Sequence, residues 1–128
     1  MNNIVECVPN FSEGRNRAVV DEIVAAIQSI PGTTILDVEM DSDHNRSVIT
    51  FVGEKENIAE AAFRGIHRAS QLIDLTKHTG VHPRVGATDV VPFIPIRNVT
   101  MAECIAIAHE VGKATGDRLS IPVYLYEA

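Results

Sequence analysis

The stretch "TTILDVEMDSDHNRSVITFVG", residues 33–53, decides the fold. Residues 33–40 and 46–53 are rich in Thr, Val and Ile, as is typical of β-strands. The five residues between them, "DSDHN" at 41–45, are polar and favour a tight turn. Two such runs joined by a short polar segment predict a β-hairpin, which Gly53 ends.

One strand and one helix are predicted before the hairpin. The β-rich run "NIVECVP", residues 3–9, ends at a proline, and "NFSEGRN", residues 10–16, is typical of a turn. The next apolar residues recur at helical spacing, and "IPG" at 30–32 ends that pattern. These apolar positions are Val20, Ile23, Val24 and Ile27.

A second helix follows the hairpin, from about residue 56 to residue 75. Its apolar residues trace one face, which we expect to pack on the sheet. They are Ile58, Ala62, Ile66, Ala69 and Ile73.

The C-terminal part of the sequence predicts one more strand, a third helix and a last strand. "DVVPFIPI", residues 89–96, is extended, and its two prolines favour an edge or bulged strand because proline has no N–H to donate. Thr100 and Glu103 form a capping box that begins a helix, which Gly116 is expected to end. "IPVYLYEA", residues 121–128, reads as the last strand.

The order β-α-β-β-α-β with an appended α-β unit predicts an α+β protein. Two β-α-β crossovers around a hairpin favour the ferredoxin-like arrangement, with helices on one face of a mostly antiparallel sheet. We expect a single domain over residues 1–128. The last apolar strand needs a neighbour, in this sheet or in another chain.

Composition excludes several classes of partner. The chain has 11 Lys and Arg against 17 Asp and Glu, a net charge of −6 that disfavours nucleic acid and anionic membranes. No apolar run approaches the ~20 residues of a membrane span, and the first residues do not resemble a secretory signal. Cys7 and Cys104 have no CxxC partner, so we expect buried free thiols and a cytoplasmic protein.

Three polar clusters hold the candidate site residues. Asn10 and Ser12 follow the first strand, where they are either turn residues or ligands. Glu39 lies on the strand face that also presents Asp37 and Asp41, which is either a solvated face or a site for a cationic group. Arg46 follows the hairpin turn and is a candidate carboxylate clamp.

The third cluster, "KHTGVHPRVGATDVVPFIP" at residues 77–95, offers two histidines and an arginine. His82 suits proton transfer near neutral pH, although a loop histidine bonded to backbone is the commoner case. His78 and His82 have i,i+4 spacing that would suit zinc with Asp89. The glycine and proline around them oppose the helix that such a site needs, so we predict no metal.

The quoted clusters resemble one family. "VECVPNFSEGR", "LDVEMDSDHNRSVITFVG", "HTGVHPRVGATDVVPFIP" and "IPVYLYEA" are similar to the N-terminal subdomain of glutamate formimidoyltransferase, a formiminotransferase of histidine degradation and folate metabolism. The most specific part is the pattern H-P-R-x-G-A-x-D-V-x-P-F-x-P.

The resemblance implies transfer of a formimidoyl group from N-formimino-L-glutamate to N5 of tetrahydrofolate, which is a co-substrate. It implies that His82 is catalytic. From the chemistry of the residues, we expect His82 to act as general acid and base, and Arg46 and Arg84 to bind anionic groups of the donor and the folate. The predicted substrate-binding residues are Asn10, Ser12, Glu39, Asn45, Arg46, Arg84, Gly86 and Asp89.

The resemblance also implies a second subdomain, since folate binds between two subdomains in this family. We expect a homo-oligomer or a partner chain to complete the site. The alternative is a non-catalytic module that binds folate or an acidic metabolite.

Overall fold

The computed structural model describes residues 3–73, 88 and 91–119. These residues form an α+β protein with an open antiparallel sheet and three helices. The strands are β1 (Ile4–Cys7), β2 (Asn10–Phe11), β3 (Thr34–Asp41), β4 (Arg46–Glu54) and β5 (Phe93–Arg97). The helices are α1 (Arg17–Gln28), α2 (Ile58–Leu72) and α3 (Met101–Leu119).

Strand β4 is central to the sheet. It pairs with β3 along one edge and with both β1 and β2 along the other, and β5 pairs with the far edge of β1. Cys7 opposes Phe51 and Asn10 opposes Val48, so β1 and β2 follow β4 in unbroken register. The carbonyl of Pro9 accepts from the Ile49 N–H, which keeps the ladder intact across the proline.

One face of the sheet carries the core. Along β4 the buried residues alternate with half-buried ones, as expected when only one face of a strand is covered. The covered face packs on the apolar stripes of the helices, and α2 lies between α1 and α3. Ile58, Ala62, Ile66, Ala69 and Ile73 are all buried, as the sequence predicted.

A glycine sets how closely α1 and α2 approach. A Cβ on Gly65 would lie 2.8 Å from Ile27 Cγ1, closer than carbon atoms pack. Because Gly65 carries no side chain, the fully buried Ile27 fills that space.

Most predicted elements are confirmed, with two corrections. The segment 10–16 is not all turn, because Asn10 and Phe11 pair with β4. The third helix does not end at Gly116 and continues to Leu119. The predicted last strand, residues 121–128, lies outside the described residues.

The finer strand predictions also agree with the structure. Asp37 and Glu39 are exposed while Val38 and Met40 are half-buried, and a bulge between Ile35 and Asp37 precedes this alternation. The β1–β5 pairing shifts register next to Ile4, as expected for a strand that contains prolines. Among the described helices, none is long and apolar enough to cross a membrane.

Candidate functional site

Two of the three polar clusters meet at one end of the sheet. The loop of residues 12–16, after β2, packs on the hairpin turn of residues 42–45, and we call this contact the loop–turn junction. The Gly14 N–H donates to Asn45 Oδ1 at 2.9 Å. Arg15 Nε donates to the Ser42 carbonyl at 2.7 Å. Segments about 30 residues apart in sequence are thereby joined.

Gly14 is buried at the centre of this junction. A Cβ built there would lie 2.3 Å from the Arg46 carbonyl oxygen and 2.5 Å from the Asp41 carbonyl oxygen. Asp41 and Arg46 are the last opposed pair of the hairpin. The contact is therefore between backbones, and any side chain at position 14 would separate the loop from the hairpin.

The Asp41 carboxylate shapes the hairpin turn. Its Oδ1 accepts from the N–H groups of Asp43 and His44, at 3.1 and 3.2 Å. Its Oδ2 lies 2.7 Å from His44 Nδ1. The hydrogen bond with the His44 side chain is the main cause that lowers the pKa of Asp41. Both carboxylate oxygens of Asp41 thus bind groups within the turn.

Glu13 plays the same part in the loop. Its Oε2 accepts from the N–H groups of Arg15 and Asn16, at 3.0 and 3.1 Å. Asn16 in turn caps α1, because its Oδ1 accepts from the Ala18 N–H at 3.1 Å. The loop is therefore held at both of its ends.

Four predicted ligands lie on or next to one sheet face at this end. Opposed residues share a face, so Glu39, Val48 and Asn10 form one row across β3, β4 and β2. In the next row Arg46 opposes Asp41, and Ser12 directly follows β2 beside Arg46. This is the sheet face opposite the core.

These four side chains differ in what they already contact. Asn10 Nδ2 donates to the Val8 carbonyl at 3.2 Å. Within the described part of the chain, Ser12, Glu39 and Arg46 make no side-chain hydrogen bond or ion pair. Arg46 and Glu39 are exposed and Ser12 is half-buried, so one cation, one carboxylate and one hydroxyl are open to a ligand.

The third cluster reaches the same end of the sheet through one residue. Thr88 forms an antiparallel bridge with Phe11. Ser47 opposes Phe11 on its other side. The Oγ of Ser47 and the Oγ1 of Thr88 are buried without a hydrogen-bond partner among the residues that the structure describes.

The remaining site predictions fall elsewhere. His82, Arg84, Gly86 and Asp89 lie outside the described residues, as does His78. Within residues 3–73, 88 and 91–119, no group of three or more His, Cys, Asp or Glu side chains is arranged to hold a metal ion.

The two cysteines are buried and unpaired, as predicted. Burial raises the pKa of the Cys7 thiol well above its ordinary value and also raises that of Cys104. Because the thiolate is the nucleophilic form, neither residue is suited to nucleophilic chemistry.

Gly14 and the pair formed by Asp41 and His44 were not predicted from the sequence. A local signal for the pair was present. An Asp in a short polar turn typically accepts hydrogen bonds from the N–H groups two and three residues later, which is an Asx turn. The sequence around Gly14 gave no comparable signal. Glycine is required there because the backbone of Arg46, distant in sequence, leaves no space for a side chain.

Comparison with known proteins identifies one family. The family model described as "Formiminotransferase domain, N-terminal subdomain" matches residues 4–128. The glutamate formimidoyltransferase of Streptococcus pyogenes serotype M1 is 54% identical over 127 residues, covering 99% of this chain and 42% of the relative.

A longer relative and a more distant relative carry names from the same family. The formimidoyltransferase-cyclodeaminase of Mus musculus is 52% identical over 126 residues, covering 98% of this chain and 23% of that protein. A formiminotransferase cyclodeaminase-like protein of Arabidopsis thaliana is 28% identical over 127 residues, which cover 95% of this chain and 43% of that protein. The chain thus spans less than half the length of each of these relatives.

Proposed function

Because the chain belongs to the formiminotransferase family, in which it matches the N-terminal subdomain, we propose that it supplies one part of a formimidoyltransferase active site. The reaction transfers the formimidoyl group of N-formimino-L-glutamate to N5 of tetrahydrofolate and releases glutamate. The observation that carries this proposal is the family match, together with the cation, carboxylate and hydroxyl that lie at or next to the loop–turn junction.

Arg46 is the proposed anchor for a carboxylate of the donor. Its guanidinium is exposed, and it forms no ion pair within the described residues. A planar guanidinium binds a carboxylate through two parallel hydrogen bonds. Arg84 is proposed as a second anion anchor, for the other donor carboxylate or the folate tail, with Gly86 and Asp89 in the same segment.

Glu39 is the proposed partner of the formimidoyl group. A protonated amidine is a cation, so a carboxylate beside it stabilises that charge and polarises the carbon under attack. Asn10 lies in the same row of the sheet and Ser12 next to it, where an amide and a hydroxyl orient the same group.

His82 is the proposed proton carrier. The N5 of tetrahydrofolate loses a proton as it attacks the amidine carbon, and the glutamate nitrogen gains one as the C–N bond breaks. The imidazole of His82 accepts the first proton and donates the second. General acid–base catalysis of this kind contributes roughly 10²- to 10⁴-fold to the rate.

The relatives are more than twice as long as this region, which supports a site completed elsewhere. We propose that a second subdomain, in the same protein, in a partner chain or in another copy, forms the opposite wall of the folate pocket. Closing the pocket excludes water and strengthens the contacts of Arg46 and Glu39. No metal takes part, and the free cysteines suit the cytoplasm.

We further propose that the sheet and its first two helices form a ferredoxin-like unit. The strand order β3–β4–β1–β5, antiparallel throughout, supports it, because a split β-α-β arrangement has this order once β1 and β2 are read as one strand. Helix α3 then begins the appended α-β unit.

The alternative is a module that binds folate or an acidic metabolite without catalysis. The test is an assay of glutamate release from N-formimino-L-glutamate with tetrahydrofolate. It uses the chain alone over a range of concentrations and after mixing with a separately produced second subdomain, with the oligomeric state measured.

We expect turnover, and a loss of at least 10²-fold in His82→Ala. Full activity in that variant would overturn the role of His82. An absence of turnover in every mixture, with folate still bound, would establish the binding module instead.

A further inference from the structure

We propose that Asn45 is a positioning residue: its side chain holds the loop of residues 12–16 on the hairpin and thereby fixes where Ser12 and Arg46 meet the substrate. This inference deepens the proposed function and rests on it. It differs from the sequence interpretation, which made Asn45 a direct substrate ligand.

The geometry of Asn45 supports this role. Its side-chain oxygen accepts the Gly14 N–H at 2.9 Å in a part-buried position. Its backbone has φ of 49°, in the left-handed region that most residues avoid. Asparagine tolerates this region better than other residues that have a Cβ, and it also supplies an acceptor. Asparagine therefore meets both requirements of this position.

The steric fit of Gly14 also supports this role. Its Cα faces the backbone of Arg46 and Asp41, at distances that leave no space for a Cβ. The hydrogen bond from Arg15 to the Ser42 carbonyl lies on the same side. The loop is therefore fixed in position against the hairpin, with Asn45 providing the hydrogen bond at its centre.

The proposed ligands Ser12 and Arg46 are close in sequence to this contact. Arg46 directly follows Asn45, and Ser12 lies two residues before Gly14. A shift of the loop away from the turn therefore changes the spacing between the Ser12 hydroxyl and the Arg46 guanidinium. Groups that bind a substrate must be placed to within about 1 Å, so such a shift weakens binding of the donor.

Three substitutions at position 45 separate the hydrogen bond from the backbone conformation. Asn45→Gly keeps the left-handed conformation and removes the acceptor. Asn45→Asp keeps an acceptor oxygen and tolerates the conformation. Asn45→Ala loses the acceptor and adds backbone strain.

The first measurement is hydrogen exchange at the Gly14 amide in the 128-residue chain, which needs no substrate. We expect exchange about 3- to 10-fold faster in Asn45→Gly, the effect of losing one hydrogen bond. Asn45→Asp should remain close to wild type. Unchanged exchange in Asn45→Gly would overturn the proposal.

The second measurement is KM and kcat for the donor in the active assembly. We expect KM to rise several-fold in Asn45→Gly with kcat less affected, and Asn45→Asp to restore most of the loss. Equal loss in both variants, with normal Gly14 exchange, would make Asn45 a direct ligand. If wild type shows no transfer, hydrogen exchange still tests whether Asn45 holds the loop. A failure of the proposed transferase function is therefore distinguishable from a failure of the role proposed for Asn45.

Discussion

Lys55 Nζ lies 2.7 Å from Glu103 Oε2, and this ion pair joins the turn after β4 to the first turn of α3. The other oxygen of Glu103 accepts from the Thr100 N–H at 2.9 Å, and Thr100 Oγ1 accepts from the Glu103 N–H. One carboxylate thus completes the capping box and binds a distant lysine.

The first prediction concerns acid stability. The hydrogen bond with Lys55, followed by that with Thr100, lowers the pKa of Glu103 from 4.5 to about 2. Because the folded-state pKa is lowered, the carboxylate stabilises the fold above about pH 4.5, and this stabilisation is lost as the pH falls towards 2.

Urea unfolding of wild type and Glu103→Gln checks this prediction. Wild type should have the higher midpoint at pH 7, and the difference should shrink below pH 4.5. Glu110→Gln, an exposed position on the same helix, is the control and should show no such pH-dependent difference. A gap between wild type and Glu103→Gln that stays constant down to pH 2 would contradict this account.

The second prediction concerns the contact between α1 and α2. In Gly65→Ala the new methyl lies 2.8 Å from Ile27 Cγ1 and 3.0 Å from its Cδ1. Overpacking in a core costs about 1–3 kcal/mol, which exceeds the gain in helix propensity of about 1 kcal/mol. We therefore expect a net loss of about 1 kcal/mol in the free energy of unfolding.

The matched background for that measurement is Ile27→Ala, which removes the Cγ1 and Cδ1 atoms that the new methyl would contact. Gly65→Ala should cost less in this background than in wild type, as determined from a double-mutant cycle. A cost independent of the residue at position 27 would show that the close contact is not the cause.

The fold was largely predictable because its signals are local. The polar hairpin turn and the capping box at Thr100 each specify an element from a few neighbouring residues. The prediction that Gly116 ends α3 was wrong because tertiary contacts outweigh the propensity of one glycine. Beyond Gly116, the guanidinium carbon of Arg118 lies 4.0 Å from the centre of the Phe63 ring on α2.

The candidate site was predictable in its residue types and less so in its organisation. Arg46 and Glu39 were recognisable as charged residues at the hairpin, where a loop end commonly carries a ligand. The contact of Gly14 with Asn45 spans 31 positions in sequence, so no local pattern indicates it. Such contacts follow from the strand register, which is visible only in the folded chain.

The third prediction concerns Arg46. Arg46→Ala should raise KM for the donor roughly 10-fold or more, because a charge-assisted hydrogen bond is lost. Arg46→Lys should recover part of the loss, since it keeps the charge and loses the planar fork. Steady-state kinetics on the active assembly measures both.

Arg64→Ala is the control for this series. Arg64 lies on α2 and pairs with Glu60 at 2.8 Å, an exposed ion pair that contributes little to stability. Its kinetics should match wild type. An Arg46→Ala variant with an unchanged KM would remove Arg46 from the donor site.

The fourth prediction concerns Glu39. Glu39→Gln keeps the shape of the side chain and removes the charge that is proposed to stabilise the protonated amidine. We expect kcat/KM to fall about 10- to 100-fold, the effect of losing a hydrogen bond to a charged group. Asp37→Asn is the matched control, because Asp37 is also exposed on β3 and opposes Thr50, farther from the junction. Equal losses in the two variants would indicate a general effect of negative charge on this face, and a loss confined to Glu39→Gln would place the formimidoyl group beside Glu39.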